Sequence, residues 1–231
     1  MQLPIALASV SSHAGLSLGR SQRGRTTGMP WPSCLRSGGA GAAPPEPWLL
    51  RAVLVLPAEH PRLRDGPVAL ALWFGALHRD WLRGHGIDAH NHQGPPRPHW
   101  ACFAGRGPGD VLVDGRKLTG VSQTWRPERV QLWSGTLLRP VPWSMLCREP
   151  NRRIEHAQAL AETTTTVRCC LGHVPNAARW AAEWAAHLHA VAAADATCAA
   201  SRPPARARPR LGPPDEARGV PGLFHPQECF P

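Results

Sequence analysis

Residues 111–123 read VLVDGRKLTGVSQ, and this stretch determines how the rest of the chain is interpreted. Short apolar runs flank Asp114-Gly115, a residue pair that favours the left-handed backbone of a two-residue β-hairpin turn. The sequence therefore predicts strands over 110–113 and 116–123, joined by that turn. The second strand contains Lys117, the only lysine among 26 basic residues.

The composition indicates that this lysine is retained for a chemical reason. Abundant arginine, alanine, proline and glycine, with no tyrosine at all, are what GC-rich codons favour. A lysine ammonium is a compact charge that suits a phosphate or carboxyl oxygen on which charge develops. The alternative is an exposed, solvated strand lysine. Strict alternation places Lys117 and Thr119 on one face and Leu118 on the other. If Leu118 faces the core, Lys117 points into solvent or a cleft.

The strong positive charge does not by itself indicate a nucleic-acid partner. A net charge of +10 and a pI near 10.7 favour such a partner. However, the arginines are scattered, and their dense cluster at 202–210 lies in a proline-rich tail. A binding footprint needs basic residues gathered on one face. We therefore predict no nucleic acid among the partners, and a basic interaction protein remains an alternative that rests on charge alone.

The seven cysteines predict a reducing compartment. They are odd in number and form no CxxC pair, and the start of the chain lacks the basic region of a secretory signal. No apolar run approaches about 18 residues, so we expect a cytoplasmic protein without a membrane partner. Cys102 and Cys147 are alternative nucleophiles, although a buried inert thiol on a strand over 100–104 is favoured for Cys102. Four histidines at 85–99 are interpreted as loop residues rather than metal ligands.

The order of the predicted elements indicates an α+β domain with a mainly antiparallel sheet and flanking helices. Strands are predicted over 14–19, 48–57 and 130–138, and helices over 67–83 and 178–194. Trp180 and Trp184 are expected to pack in the core, and Thr163–Thr166 to cap a helix or form a loop. The domain is predicted over 14–195, after an incomplete extension at 1–13 and before a disordered Pro/Arg-rich tail at 196–231.

A second glycine-rich segment, RSGGAGA at 36–42, separates two predicted strands. Its glycines permit unusual backbone angles and leave N–H groups available to an anion. It lacks the GK[ST] ending of a nucleotide P-loop, so a flexible loop is the alternative.

Taken in order, LSLGRSQ (16–22), RSGGAGA, CFAGRGPGDVLVDGRKLTGVSQ (102–123) and SGTLL (134–138) resemble the lipoate-protein ligase A family. That family belongs to the biotin/lipoate ligase superfamily. The resemblance implies attachment of lipoate or octanoate to a lysine through an acyl-adenylate made with ATP and Mg²⁺. The implied partners are lipoyl domains of 2-oxoacid dehydrogenase complexes or the glycine-cleavage H protein.

The resemblance also implies roles for particular residues. Lys117 is the expected catalytic residue, in contact with the acyl carboxyl and the phosphate. The glycine-rich loop is expected to lie along the acyl chain and the adenylate. The positions expected to bind ligand are Arg36, Gly38, Gly39, Gly41, Asp110, Gly120 and Ser122. Ala40 interrupts the glycine run that the family shows, so a relative that binds acyl ligand or carrier without catalysis is an alternative.

Overall fold

A six-stranded antiparallel sheet forms the centre of the fold. The structure is a computed structural model that describes residues 3–10, 16–18, 33–35, 48–99, 101–145 and 154–200. The strand order is β1-β4-β8-β7-β6-β5, and β2 and β3 form a separate parallel pair. The strands are β1 Ile5–Ser9, β2 Leu16–Leu18, β3 Ser33–Leu35, β4 Leu49–Pro57, β5 His90–Asn91, β6 Val111–Val113, β7 Arg116–Arg126 and β8 Arg129–Leu137.

The main helices follow the sheet in two groups. One lies between β4 and β5 and the other three follow β8: α1 Gly66–Gly84, α2 Ile154–Thr163, α3 Val167–Leu171 and α4 Ala177–Ala200. Short 3-10 helices cover Pro61–Asp65 and Trp143–Met145. No described helix combines the length and the apolar content that a membrane span requires.

The two faces of the sheet have different partners because side chains alternate along each strand. One face, here called the helix face, packs against α1 and α4 to form the larger core. It contains Leu50, Leu54, Leu56, Val130 and Leu132 from β4 and β8. The opposite face, here called the open face, has a smaller apolar cluster that includes Leu49, Phe103, Leu137, Trp143 and Leu160.

Most of the predicted elements are confirmed. The turn at Asp114-Gly115 has φ of 49° and 71°, the left-handed pair that the hairpin prediction required. The long strands β4 and β8 and the helices α1 and α4 occupy the predicted stretches. Trp180 and Trp184 lie in the core, 2% and 1% exposed. Thr166 caps α3, since its side chain accepts a hydrogen bond from the Cys169 amide.

Other elements differ from the prediction. The predicted strand over 100–104 is wrong: Cys102, Phe103 and Ala104 form a turn, and the Ala104 amide donates to the Ala101 carbonyl. No strand was predicted before residue 14, and β1 adds an edge strand there. Helix α4 continues to Ala200, past the predicted domain end at 195. The rest of the predicted tail lies outside the described residues.

A close contact between two glycines sets the distance between α1 and the loop before β6. Gly75 lies in α1, and Gly109 has φ of 83° in the loop. A Cβ atom on Gly75 would overlap the backbone of Gly109, and one on Gly109 would overlap the Ala71 carbonyl. The loop can therefore reach the helix only because both positions lack a side chain.

We expect Gly75→Ala and Gly109→Ala each to lower the free energy of unfolding by more than about 2 kcal/mol, because neither backbone can yield to the new methyl group. Gly84→Ala is the matched control, since no heavy atom lies within 4 Å of its added Cβ. This control should be neutral or stabilising by up to about 1 kcal/mol. Urea unfolding measures all three. If Gly75→Ala were as well tolerated as Gly84→Ala, the helix–loop contact would not exist as described.

His78 is a buried histidine whose ring contacts are aromatic. It lies edge-on to Phe74 and 4.3 Å from the centroid of Trp184, and neither ring nitrogen has a hydrogen-bond partner among the described residues. Burial, with a smaller effect from nearby His187, lowers the pKa of His78 from 6.5 to about 3. The ring is therefore neutral in the folded protein at all but strongly acidic pH.

This burial should make stability depend on pH. Below pH 6.5 the unfolded chain binds a proton at His78 that the folded protein does not bind, so stability falls as the pH drops from 6.5 toward 3. Between pH 7 and pH 5 the wild type should lose about 2 kcal/mol more than His78→Phe, whose ring cannot titrate. Urea unfolding of both proteins at the two pH values tests this. Parallel losses in the two proteins would contradict it.

Candidate functional site

Lys117 has its ammonium group buried and bound to three acceptors. The residue is 3% exposed. Its Nζ lies 2.7 Å from Oδ2 of Asp110 and donates to the carbonyls of Gly105 at 2.8 Å and Cys102 at 3.1 Å. These three acceptors match the three N–H donors of an ammonium. The alternative of a solvated strand lysine is therefore wrong.

A β-bulge separates Lys117 from Thr119, which strict alternation would place on the same face. Val111 pairs with Thr119, whereas the next residue, Leu112, pairs with Lys117, which leaves Leu118 as the extra residue. Leu118 enters the larger core, and Thr119 lies on the helix face, where its hydroxyl is 2.8 Å from that of Thr136. Lys117 and Thr119 thus do not share a face. The bulge turns Lys117 toward the open face.

Asp110 is held by the backbone on both carboxylate oxygens. Oδ2 accepts from the Gly107 amide at 2.7 Å, and Oδ1 accepts from the Val121 amide at 3.0 Å. The loop that carries Asp110 is the one placed by the glycine contact with α1. The carboxylate therefore connects the loop to the exposed edge of β7, beyond the end of β6. The position of the Lys117 ammonium depends on this anchor.

The absence of a side chain at Gly120 leaves space for the Lys117 side chain. A Cβ atom at this position would lie 3.1 Å from Cε and 3.4 Å from Nζ of Lys117, closer than side chains normally pack. Gly120 pairs directly with Gly135 on β8, where a Cβ would lie 3.0 Å from the Leu49 side chain. The two glycines form a strip without side chains across the open face. Lys117 lies over one end of this strip.

A mainly apolar cleft adjoins the strip, and we call it the open-face cleft. Its lining comes from β4, from the middle of β7 and β8, which includes the glycine strip, and from the turn after residue 100: Leu49, Arg51, Cys102, Phe103, Gly120, Val121, Ser122, Trp133, Ser134 and Gly135. The Lys117 ammonium lies 5.6 Å from the centroid of the Phe103 ring. A buried cation therefore stands beside an apolar groove.

Of the sequence-predicted site residues, Asp110, Lys117, Gly120 and Ser122 come together around this cleft. Arg36, Gly38, Gly39 and Gly41 lie outside the described residues. Cys102 lies in a turn and is only partly buried, so its prediction as a buried strand thiol is wrong. Its carbonyl contacts Lys117, and the residue also lines the cleft.

Residues Thr163–Thr166, here called the threonine segment, contact the site in a way that the sequence did not indicate. Where β8 leaves β7, the Thr165 amide donates to the Lys117 carbonyl at 3.0 Å, and the Arg168 amide donates to the Leu138 carbonyl. Thr164 forms an isolated parallel bridge with Lys117. The segment fills the gap beside the bulge and holds the lysine backbone. No local pattern links these residues, because the pairing spans a distance that only the folded chain closes.

Trp133, Leu49 and Phe103 also line the cleft and were not predicted as site residues. The alternation of β8 would have placed Trp133 opposite Leu132, but the cleft itself forms only from separate elements. The described residues contain no group of three His, Cys, Asp or Glu side chains that could hold a metal ion. Of the loop histidines, His92 is buried and its ring contacts the Pro95 carbonyl.

The arrangement can bind a ligand with an anionic head and an apolar body. The ammonium supplies a fixed positive charge in a buried site, where electrostatic interactions are stronger than in bulk solvent. The cleft supplies apolar surface beside that charge. No nucleophile or base is needed for this binding.

The sequence matches no family model and no curated protein. Solved structures share its fold. A lipoate-protein ligase A bound with ATP is 15% identical, with a TM-score of 0.58 over 80% of this chain and 73% of that protein. The protein Ta0514 from T. acidophilum, a putative lipoate protein ligase with bound lipoic acid, is 13% identical, with a TM-score of 0.57 over 82% and 72%.

A third structure is a bipartite lipoate protein ligase from Thermoplasma acidophilum, solved in a study of an archaeal lipoylation system with its E2 lipoyl domain. It is 12% identical, with a TM-score of 0.54 over 82% of this chain and 71% of that protein. The agreement covers the six-stranded antiparallel sheet and the helices that flank it. This chain therefore has the biotin/lipoate protein ligase catalytic fold.

Proposed function

We propose that the protein attaches lipoate or octanoate to a lysine of a lipoyl carrier domain. The observation that carries the proposal is the buried Lys117 ammonium beside the open-face cleft. The cleft would take the apolar chain and the ammonium would face the carboxyl group. The fold, and the names of the solved structures that share it, support this substrate class.

The reaction would proceed in two steps, formation of an acyl-adenylate and transfer of the acyl group to the carrier. The acyl carboxylate attacks the α-phosphate of ATP, pyrophosphate leaves, and a mixed anhydride forms. The amine of the carrier lysine then attacks the acyl carbon, AMP leaves, and the amine loses its proton to solvent. Lys117 would stabilise the charge on the acyl carboxyl and the phosphate, and the 36–41 loop is proposed to supply backbone donors.

Substrate must exchange for one of the protein acceptors before it can contact Lys117. All three ammonium donors are already engaged, and the Cys102 carbonyl is the most distant acceptor at 3.1 Å. Asp110 would remain, because its charge and its two backbone donors keep it in place. A carboxyl or phosphate oxygen replacing the Cys102 carbonyl would therefore be the smallest change that admits substrate.

The described residues do not form a site for Mg²⁺. Asp110 is the carboxylate in contact with Lys117, and both its oxygens are engaged. We therefore assign no residue to the metal ion. ATP is proposed as a substrate of the reaction, and the proposed carriers are the lipoyl domains of 2-oxoacid dehydrogenase complexes or the glycine-cleavage H protein.

The same geometry supports a second candidate, a protein that binds an acyl ligand or a carrier without catalysis. All three donors of the Lys117 ammonium are satisfied within the protein, so the ammonium is stable without substrate. Such a site could bind an acyl carboxylate without catalysing a reaction. Calorimetry would detect acyl binding in this case, while no mass would be added to a carrier.

Exchanging the two adjacent basic residues tests the role of Lys117. A planar guanidinium cannot place one nitrogen among three acceptors at 2.7–3.1 Å, whereas the exposed Arg116 has no such constraint. Lys117→Arg should lower the rate of acyl transfer at least about 100-fold, and Arg116→Lys should leave it unchanged. The assay is the mass gain of a purified lipoyl domain with ATP, Mg²⁺ and octanoate or lipoate.

Circular dichroism and urea unfolding establish that both variants are folded. Full transfer by a folded Lys117→Arg protein would show that Lys117 lacks the proposed role. No mass gain with the wild type, combined with acyl binding by calorimetry, would favour the second candidate.

A further inference from the structure

The open face of the sheet has three successive rows of side chains beside the Lys117 ammonium. The first row is Leu49 and Leu137, the second is Arg51, Gly135 and Gly120, and the third is Val53, Trp133 and Ser122. Rows on one face are two residues apart, about 6.6 Å along the strands. The middle row has no side chain on β7 or β8, so it forms the floor of the open-face cleft.

Side chains already cover two parts of this floor. Leu49 already leans over Gly135, within 3.0 Å of where a Cβ would lie, and Lys117 covers Gly120. Cys102 and Phe103 line the cleft from the turn after residue 100. A ligand with its head at Lys117 therefore extends toward the third row.

Trp133 is the large side chain of that row. Its neighbours on either strand, Val53 and Ser122, are small. Trp133 is the diagonal partner of Gly120, at about 7–8 Å across the pair of strands. Its indole nitrogen is buried although the residue as a whole is only partly buried, so the protein covers that edge of the ring. A bulky side chain thus lies diagonally across the strands from the glycine beneath Lys117.

From this geometry we propose that Trp133 closes the far end of the open-face cleft and sets the longest acyl chain that the site accepts. The inference rests on the proposed acyl-binding function of the same site. The ligand class is an unbranched carboxylic acid with its carboxylate at Lys117 and its last carbons against the indole. Removing the indole joins the cleft to the space over Val53 and Ser122.

Binding of a series of straight-chain carboxylates, from butanoate to hexadecanoate, tests this by calorimetry on the full chain. In the wild type, Kd should tighten about four-fold for each added methylene until the chain reaches the indole, and then weaken. We call the chain length at which Kd begins to weaken the break. In Trp133→Ala the break should move to longer chains, with at least about ten-fold tighter binding of the first acid beyond the wild-type break. Trp133→Phe, which keeps a ring, should hold the break within one or two carbons of the wild type.

Trp125→Ala is the matched control, since Trp125 is 41% exposed near the other end of β7. It should leave the length profile unchanged. If Trp133→Ala does not fold, Trp133→Leu provides a smaller apolar side chain and should move the break in the same direction.

The outcomes separate this inference from the proposed function. An unchanged break in folded Trp133→Ala or Trp133→Leu overturns the role of Trp133 and leaves acyl transfer intact. A break that moves, in a protein that adds no mass to a lipoyl domain, supports the role of Trp133 and contradicts the transfer reaction. If the wild type bound no acid of any length, both would be overturned.

Discussion

The buried ion pair between Lys117 and Asp110 is the interaction on which the rest of the site depends. Two opposite charges, each 4% exposed at the side chain, are stable together only because further polar groups satisfy them. Two backbone carbonyls accept the remaining hydrogen bonds of the ammonium, and two backbone amides donate hydrogen bonds to the carboxylate. Each of these groups belongs to a loop or strand edge, so the pair determines where several segments can lie.

The surrounding structure is arranged to meet those demands. The bulge at Leu118 turns the lysine to the open face while the strand keeps its apolar residue in the core. The contact between Gly75 and Gly109 brings the aspartate loop against α1, and the threonine segment holds the lysine backbone where β8 ends. The helix face provides the larger apolar core, and the cleft lies on the open face beside the smaller apolar cluster.

The charge and the cleft together are consistent with acyl transfer, and the lysine's uniqueness has a physical explanation. Three acceptors converge on one nitrogen, which an ammonium can satisfy and a planar guanidinium cannot. Elsewhere the chain uses arginine, as GC-rich codons favour. Trp133 lines the same cleft, and in our proposal it limits the length of the acyl chain that the site binds.

The sequence by itself determined the local elements, which are the Asp114-Gly115 turn, the long alternating strands and the amphipathic helices, and it placed Lys117 on the side opposite Leu118. These follow from backbone preferences and from side-chain periodicity, which act over a few residues. Only the tertiary structure decided that Thr119 faces away from Lys117, that residues 102–104 form a turn, and that Thr165 holds the lysine backbone. A one-residue bulge reverses a strand's facing without changing its composition, and contacts between distant segments leave no local pattern.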